Sequence, residues 1–353
     1  MEEIQQEKQK KKGINKNIIW AFLSGLLAIL TIRIVIKQSK DISIKELLEL
    51  VSRSNKILFG LSIIASALFV WFEGVAIRSI LKSAGYKRGR MQGLIYSTSD
   101  VYFSAITPSA TGGQPASAYF MHRDGIPSGV ITATLVLNLM MYTVSIIVLG
   151  VMSIIVSPMA FLGFGTFSKI LIIGGIVALS GLSAVFLLIL KKGRTFFGIL
   201  TRLINFAYDR KWIREKKRKL AKLAKTRSDY EQCSELIAGS KDVLVKAFMW
   251  NFLQRGSQLL VPMLLHLSLG GKAIEAPIVF AKQCLITIGY NFIPIPGGMG
   301  ISDYLMIDGF KELMGEQTAF QIEMLSRGIT FYICVSISGI ITLIGYLIGR
   351  KKK

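Results

Sequence analysis

Six stretches of 20 or more mostly apolar residues recur along the chain: 17–37, 57–81, 129–156, 169–190, 243–267 and 326–348. At about 1.5 Å per residue each is long enough to cross the roughly 30 Å of a bilayer core as a helix. Inside a bilayer every backbone polar group must be satisfied within the chain, so repeated runs of this length restrict the fold to a helical bundle. The sequence therefore predicts an all-α polytopic membrane protein. A hydrophobic content of 52% and a positive mean hydropathy agree. The first run is too long for a signal-peptide core and no small-residue cleavage site follows it.

The formal charge is +22. Its excess flanks the apolar runs, as the positive-inside rule expects, and no nucleic-acid-binding signature accompanies it. No specific nucleic-acid partner is expected. The basic stretches are KQKKK at 8–12, KSAGYKRGR at 82–90, the segment 191–242 and the terminal RKKK. All four belong on the cytoplasmic side, and so do both termini. The uncharged loop 157–165 and the acidic segment 308–323 suit the outside. Segment 191–242 holds about 15 Lys/Arg against 6 Asp/Glu, with Trp212, Leu220 and Leu223 among them. It fits either an amphipathic surface helix or a solvated cytoplasmic loop. Cys233, Cys284 and Cys334 are far apart, and His122 and His266 are too few for a histidine-based metal centre, so neither a metal nor another cofactor is expected.

Two segments break the pattern. ITPSATGGQPAS at 106–117 and FIPIPGGMGISD at 292–303 put prolines and glycines inside apolar surroundings, where they should interrupt any helix. Threading the chain through the charge pattern makes segment 93–121 start and end inside, and segment 277–310 start and end outside. Both read as re-entrant hairpins with the Pro/Gly clusters at their tips; two short tilted spans are the alternative for the first. The result is helix, hairpin, helix in 17–190, then the same order inverted in 243–349, an arrangement associated with secondary transporters. An N-terminal tail 1–16 and a C-terminal tail 350–353 complete the organisation.

Broken backbone in a bilayer is tolerated where it lines a cavity or is buried in protein. The two tips are therefore the leading candidate site, through Thr107, Ser109, Thr111, Gly112, Gly113 and Gln114 on one side and Gly297, Gly298 and Asp303 on the other. Within the helices Asn251, Gln254, Arg255 and Gln258 recur at helical spacing as one polar stripe. Arg255 and Gln258 join the candidates for substrate binding, with Glu73, Asp100 and Lys282 as charge partners. Arg255, together with Lys282, would attract a phosphate while the carboxylates balance a cationic headgroup. A structural ion pair of Glu73 or Asp100 with Arg255 is the plainer reading. Gly345 with Gly349, and Gly174 with Ala178, read as helix-packing positions. No catalytic residue is assigned.

TPSATGGQP at 107–115 and PIPGGMGISD at 294–303 resemble the hallmark motifs of the lysylphosphatidylglycerol synthase transmembrane family, the flippase-type membrane domain of the multiple peptide resistance factor. The resemblance runs from about residue 17 to about 350. It implies a translocator that moves an anionic or aminoacylated phospholipid, such as lysylphosphatidylglycerol, between leaflets of the cell membrane and supports resistance to cationic antimicrobial peptides. Long members of the family add a soluble synthase domain. Here only the four-residue tail 350–353 follows the second half, which leaves no room for it, so the expectation is a carrier rather than an enzyme. The alternative is a phosphatidylglycerol lysyltransferase-type enzyme or its membrane accessory subunit. Membrane phospholipids, and a separately encoded synthase, are the expected partners, and an oligomer is compatible with the sequence. One departure stands out: Asp303 occupies a position where the family pattern has glutamate.

Overall fold

A computed structural model describes residues 44–107, 110–210, 216–293 and 300–351. Two compact units divide the chain, Met1–Leu47 and Leu48–Lys353; the architecture below is that of the second. Among the described residues all regular structure is helical. The principal elements are α1 (Lys56–Ser83), α2 (Arg90–Ile106), α3 (Gly113–Arg123), α4 (Ser128–Val156), α5 (Thr166–Lys191), α6 (Gly193–Asp209), α7 (Lys216–Ala238), α8 (Lys241–Ser268), α9 (Ala276–Asn291), α10 (Ile301–Met314), α11 (Glu316–Arg327) and α12 (Cys334–Lys351). A π-helical turn, Gly328–Ile333, joins the last two.

Among the described residues five helical stretches are long and apolar enough to cross a membrane: Lys56–Ser83, Ser128–Val156, Thr166–Lys191, Ala273–Asn291 and Glu316–Gly349. Four of them contain the runs expected at 57–81, 129–156, 169–190 and 326–348. The run at 17–37 lies outside the described residues. The run at 243–267 is helical throughout, inside α8, yet is not among the five. Its polar stripe lowers the hydropathy of an otherwise long helix. Ala273–Asn291 is the converse: expected to be half of a re-entrant hairpin, it is long and apolar enough to cross. Between the runs 17–37 and 57–81 lies a further helix, Ile44–Arg53.

Segment 93–121 falls on two short helices and the turn between them. The 17 residues of α2 and 11 of α3 make helices of about 25 and 16 Å, neither long enough to cross upright. Helix α2 ends where it does because Thr107 precedes a proline, which disfavours helical backbone; Thr107 is extended at φ −109°, ψ 145°. The chain then turns through Ala110, at φ 53°. In the second hairpin the turn into α10 passes through Gly300, at φ 83°, a conformation that glycine adopts without strain.

The two halves interleave. Helices α1 and α8 run antiparallel along one another, the Asn55 amide donating to the Ser268 carbonyl at 2.7 Å where one begins and the other ends. The Asn55 side chain also accepts from the amides of Ile57 and Leu58, capping α1. The first hairpin packs through α2 on α12, and the second packs through α9 on α4 and α5. Close approach depends on small residues. A Cβ at Gly345 would fall 2.9 Å from Ile95, and one at Gly349 would fall 2.3 Å from Arg123. Gly174 is not the tight position on α5. The adjacent Gly175 is, where a Cβ would fall 2.2 Å from the Ile288 carbonyl oxygen. Segment 191–242 is two helices folded onto the bundle. Tyr230 of α7 is buried and donates to the Ile189 carbonyl at 2.9 Å, whereas α6 leaves Ile199, Leu203 and Phe206 exposed along one face. Trp212 lies outside the described residues.

Among the described residues two large apolar cores form, with smaller clusters around Phe69 and Leu259. One joins α1, α3, α4 and α7 around Ile77, Met121, Leu137 and Ile237; the other joins α4, α5, α9 and α10 around Ile146, Ile172, Ile288 and Phe310. Between them the side chains turn polar.

Candidate functional site

A cavity of about 560 Å³ is lined by both hairpins together with α1, α4, α8, α11 and the π-turn. That is room for a small polar group of the size ligand sites usually take. Ala110 and Gln114 reach it from the first tip, Ile293 and Ser302 from the second.

On α8 the spacing of Gln254, Arg255 and Gln258 aims all three at this space. Arg255 is 5% exposed. Its Cζ lies 3.6 Å from the centre of the Tyr142 ring and 5.1 Å from that of Phe69. One terminal nitrogen donates to Gln258 Oε1 at 2.7 Å, but Nε has no partner. Among the described residues no carboxylate pairs with it within 4.0 Å. The ion pair of Arg255 with Glu73 or Asp100, the plainer expectation, is therefore not formed. Gln254 and Gln283, each less than a tenth exposed, also leave their Oε1 atoms unpartnered while lining the cavity. Buried polar atoms without partners are rare and call for an explanation.

Glu73 and Asp100 face one another across the α1–α2 contact, close enough for their carboxyls to hydrogen-bond. Asp100 also accepts from Ser104 Oγ at 3.0 Å and Gln114 Nε2 at 2.6 Å. Gly113 makes this possible. A Cβ there would fall 2.0 Å from both Asp100 Oδ1 and Ser104 Oγ.

A second cation, Arg327, lies on the far wall. It bonds Glu323 through Nε at 3.0 Å and Ser302 through a terminal nitrogen at 3.0 Å, and forms an ion pair with Asp303. Asp303 also accepts from the Gly300 amide at 2.9 Å, which fastens the second tip to the start of α10. Directly after Arg327 comes the π-turn. Its Thr330 and Phe331 line the cavity, and its Ile329 carbonyl accepts from Ser66 Oγ of α1 at 3.5 Å.

The structure thus brings Gln114, Arg255 and Gln258 to one cavity with Glu73 and Asp100, and sets Asp303 behind the wall formed by Ser302 and Arg327. It separates Lys282 from them. Lys282 sits 5.0 Å over the Phe164 ring, among Asp308 and Glu312, because it is one residue out of phase with Gln283, Thr287 and Tyr290, which face the cavity. Thr107 is a turn residue: its hydroxyl donates to the Phe103 carbonyl at 2.6 Å and accepts from the Gly112 amide at 2.8 Å. Thr111 is exposed at the tip. Ser109, Gly297 and Gly298 lie outside the described residues. The sequence reading missed Arg327, Glu323, Tyr142 and Tyr290. A basic residue at the edge of an apolar run looks like a helix-end anchor, and aromatic residues in membrane helices attract no notice. Only the Glu323–Arg327 spacing, one helical turn apart, could have signalled a pair.

Such an arrangement can receive a group that carries both charges. The planar guanidinium has a donor to spare for a phosphate, and the carboxyl pair accepts from an ammonium. Among known proteins, a family model described as the lysylphosphatidylglycerol synthase TM region matches residues 18–338. No curated protein matches the chain.

Proposed function

This chain belongs to the lysylphosphatidylglycerol synthase TM-region family, and from that premise we propose that it carries an anionic or aminoacylated phospholipid between the leaflets of the cell membrane. Lysylphosphatidylglycerol is the leading substrate. Its phosphate would dock on Arg255 and its ammonium groups near Glu73 and Asp100, with the acyl chains leaving between the helices. Both termini lie in the cytoplasm in this reading. Rocking of one half against the other would expose the headgroup first to one side and then to the other. Placing a cationic lipid in the outer leaflet would repel cationic antimicrobial peptides, and a separately encoded synthase would supply the lipid.

The observation that carries the proposal is Arg255. A buried guanidinium with no carboxylate partner and a free Nε, facing a cavity, is costly unless something occupies that cavity. The test is a leaflet-exchange assay in proteoliposomes, using fluorescent short-chain lysylphosphatidylglycerol and phosphatidylglycerol. Exchange well above that of protein-free vesicles is expected for at least one of them. Rates equal to those of empty vesicles for both lipids defeat the proposal.

A further inference from the structure

The carboxyl pair poses a problem of charge. Glu73 and Asp100 are 6% exposed each, their carboxyls face one another, and the remaining charged group facing them in the cavity with no ion-pair partner is Arg255. Glu323 and Arg327 on α11 line the same cavity but are committed to each other. The other titratable groups nearby are Tyr142 on α4, Tyr290 on α9 and Cys334 at the start of α12. One guanidinium against two carboxylates leaves a net negative charge in a site walled by apolar helices. Such a site is neutral only when one proton rides on the pair, and like-charged carboxyls in contact share a proton for this reason. The unpartnered, nine-tenths-buried Arg255 Nε, Gln254 Oε1 and Gln283 Oε1 independently mark the same space as a place for a ligand.

We infer that the Glu73–Asp100 pair is a proton-exchange site: the ammonium of an aminoacylated headgroup displaces the shared proton as the phosphate binds Arg255. This rests on the lipid-carrier reading and adds its coupling. The charges balance for a headgroup with two ammonium groups and one phosphate, as in lysylphosphatidylglycerol: the two ammonium groups face the two carboxylates, the guanidinium neutralises the phosphate, and the shared proton leaves to water. A carrier that returns protonated and crosses loaded with the amine exchanges lipid for proton, so a pH gradient acidic outside drives the aminoacyl lipid outward.

The test uses the purified full chain in detergent with short-chain lysylphosphatidylglycerol and, as the amine-free control, short-chain phosphatidylglycerol. A pH-indicator dye in weak buffer should report about one proton released per aminoacyl lipid bound, and none with the control. Affinity for the aminoacyl lipid should rise with pH for as long as the empty pair holds its proton, with a limiting slope of about tenfold per unit of pH, that of a one-proton exchange. In Glu73→Gln the remaining carboxylate is balanced by Arg255, so proton release and the pH slope should both vanish. Asp100→Asn serves as the second variant, and the wild-type measurement needs neither to fold. Binding without proton release and with a flat pH profile overturns the exchange while leaving the carrier reading standing. Absence of both binding and leaflet exchange at every pH overturns the two together.

Discussion

Arg255 and Arg327 line one cavity from opposite walls, and their surroundings could hardly differ more. Arg327 has its Nε engaged by Glu323 and one terminal nitrogen by Ser302 and Asp303. Arg255 lies against two aromatic faces, gives one bond to a neutral amide and keeps a donor idle. A cation paired with two carboxylates holds elements together. An under-engaged one adds cost to the fold and is explained by what it meets later. The first cation fastens the second hairpin tip, helix α11 and the π-turn into one piece. The second faces the cavity.

Four measurements break or sharpen that contrast. The largest effect belongs to Arg327→Gln, which strands Asp303 and Glu323 without their cation. Removing one partner of a buried pair costs about 3–5 kcal/mol, so thermal unfolding in detergent should shift sharply downward. A melting temperature equal to wild type would mean that Arg327 fastens nothing. Next comes Arg255→Gln, expected to lower leaflet exchange roughly thirtyfold or more, the equivalent of about 2 kcal/mol, with stability unchanged or higher. Lysine should not rescue it, because a point charge lacks the planar fork. A variant that melts early but still transports would reverse the roles assigned to the two arginines. Third is Gly113→Ala, whose added methyl meets Asp100 and Ser104 and should cost about 1–3 kcal/mol by overpacking, read from the same melting curves. Smallest is Thr107→Val, which removes one hydroxyl bridging the Phe103 carbonyl and the Gly112 amide. A loss of about 1 kcal/mol is expected, with transport kept near wild type. Abolished transport would instead move Thr107 from the turn to the ligand.

Arg255 was legible because a charge on a polar stripe inside an otherwise apolar helix has one plausible direction to face. The hairpin around ITPSATGGQPAS was legible because prolines and glycines stop helices wherever they stand. Arg327 was hidden by its position at the end of an apolar run, where length arguments expect a lysine or arginine anyway. Its partner Asp303 was read as part of the tip, although its acceptor bonds serve the turn itself. Lys282 was misplaced for a simple geometric reason: without helix phase, residues 282 and 283 look interchangeable, and a step of about 100° sends them to opposite sides. The π-turn leaves no composition signal, since GITFYI is ordinary for a membrane helix.

The interleaving of the halves has a consequence for biogenesis. Helix α2 is complete at Ile106, but the helix that covers it, α12, begins only at Cys334. At roughly 5–20 residues per second, the ribosome needs about ten seconds to most of a minute to make what lies between. For that interval the short first hairpin must wait in the nascent protein with Ile95 and Tyr102 uncovered.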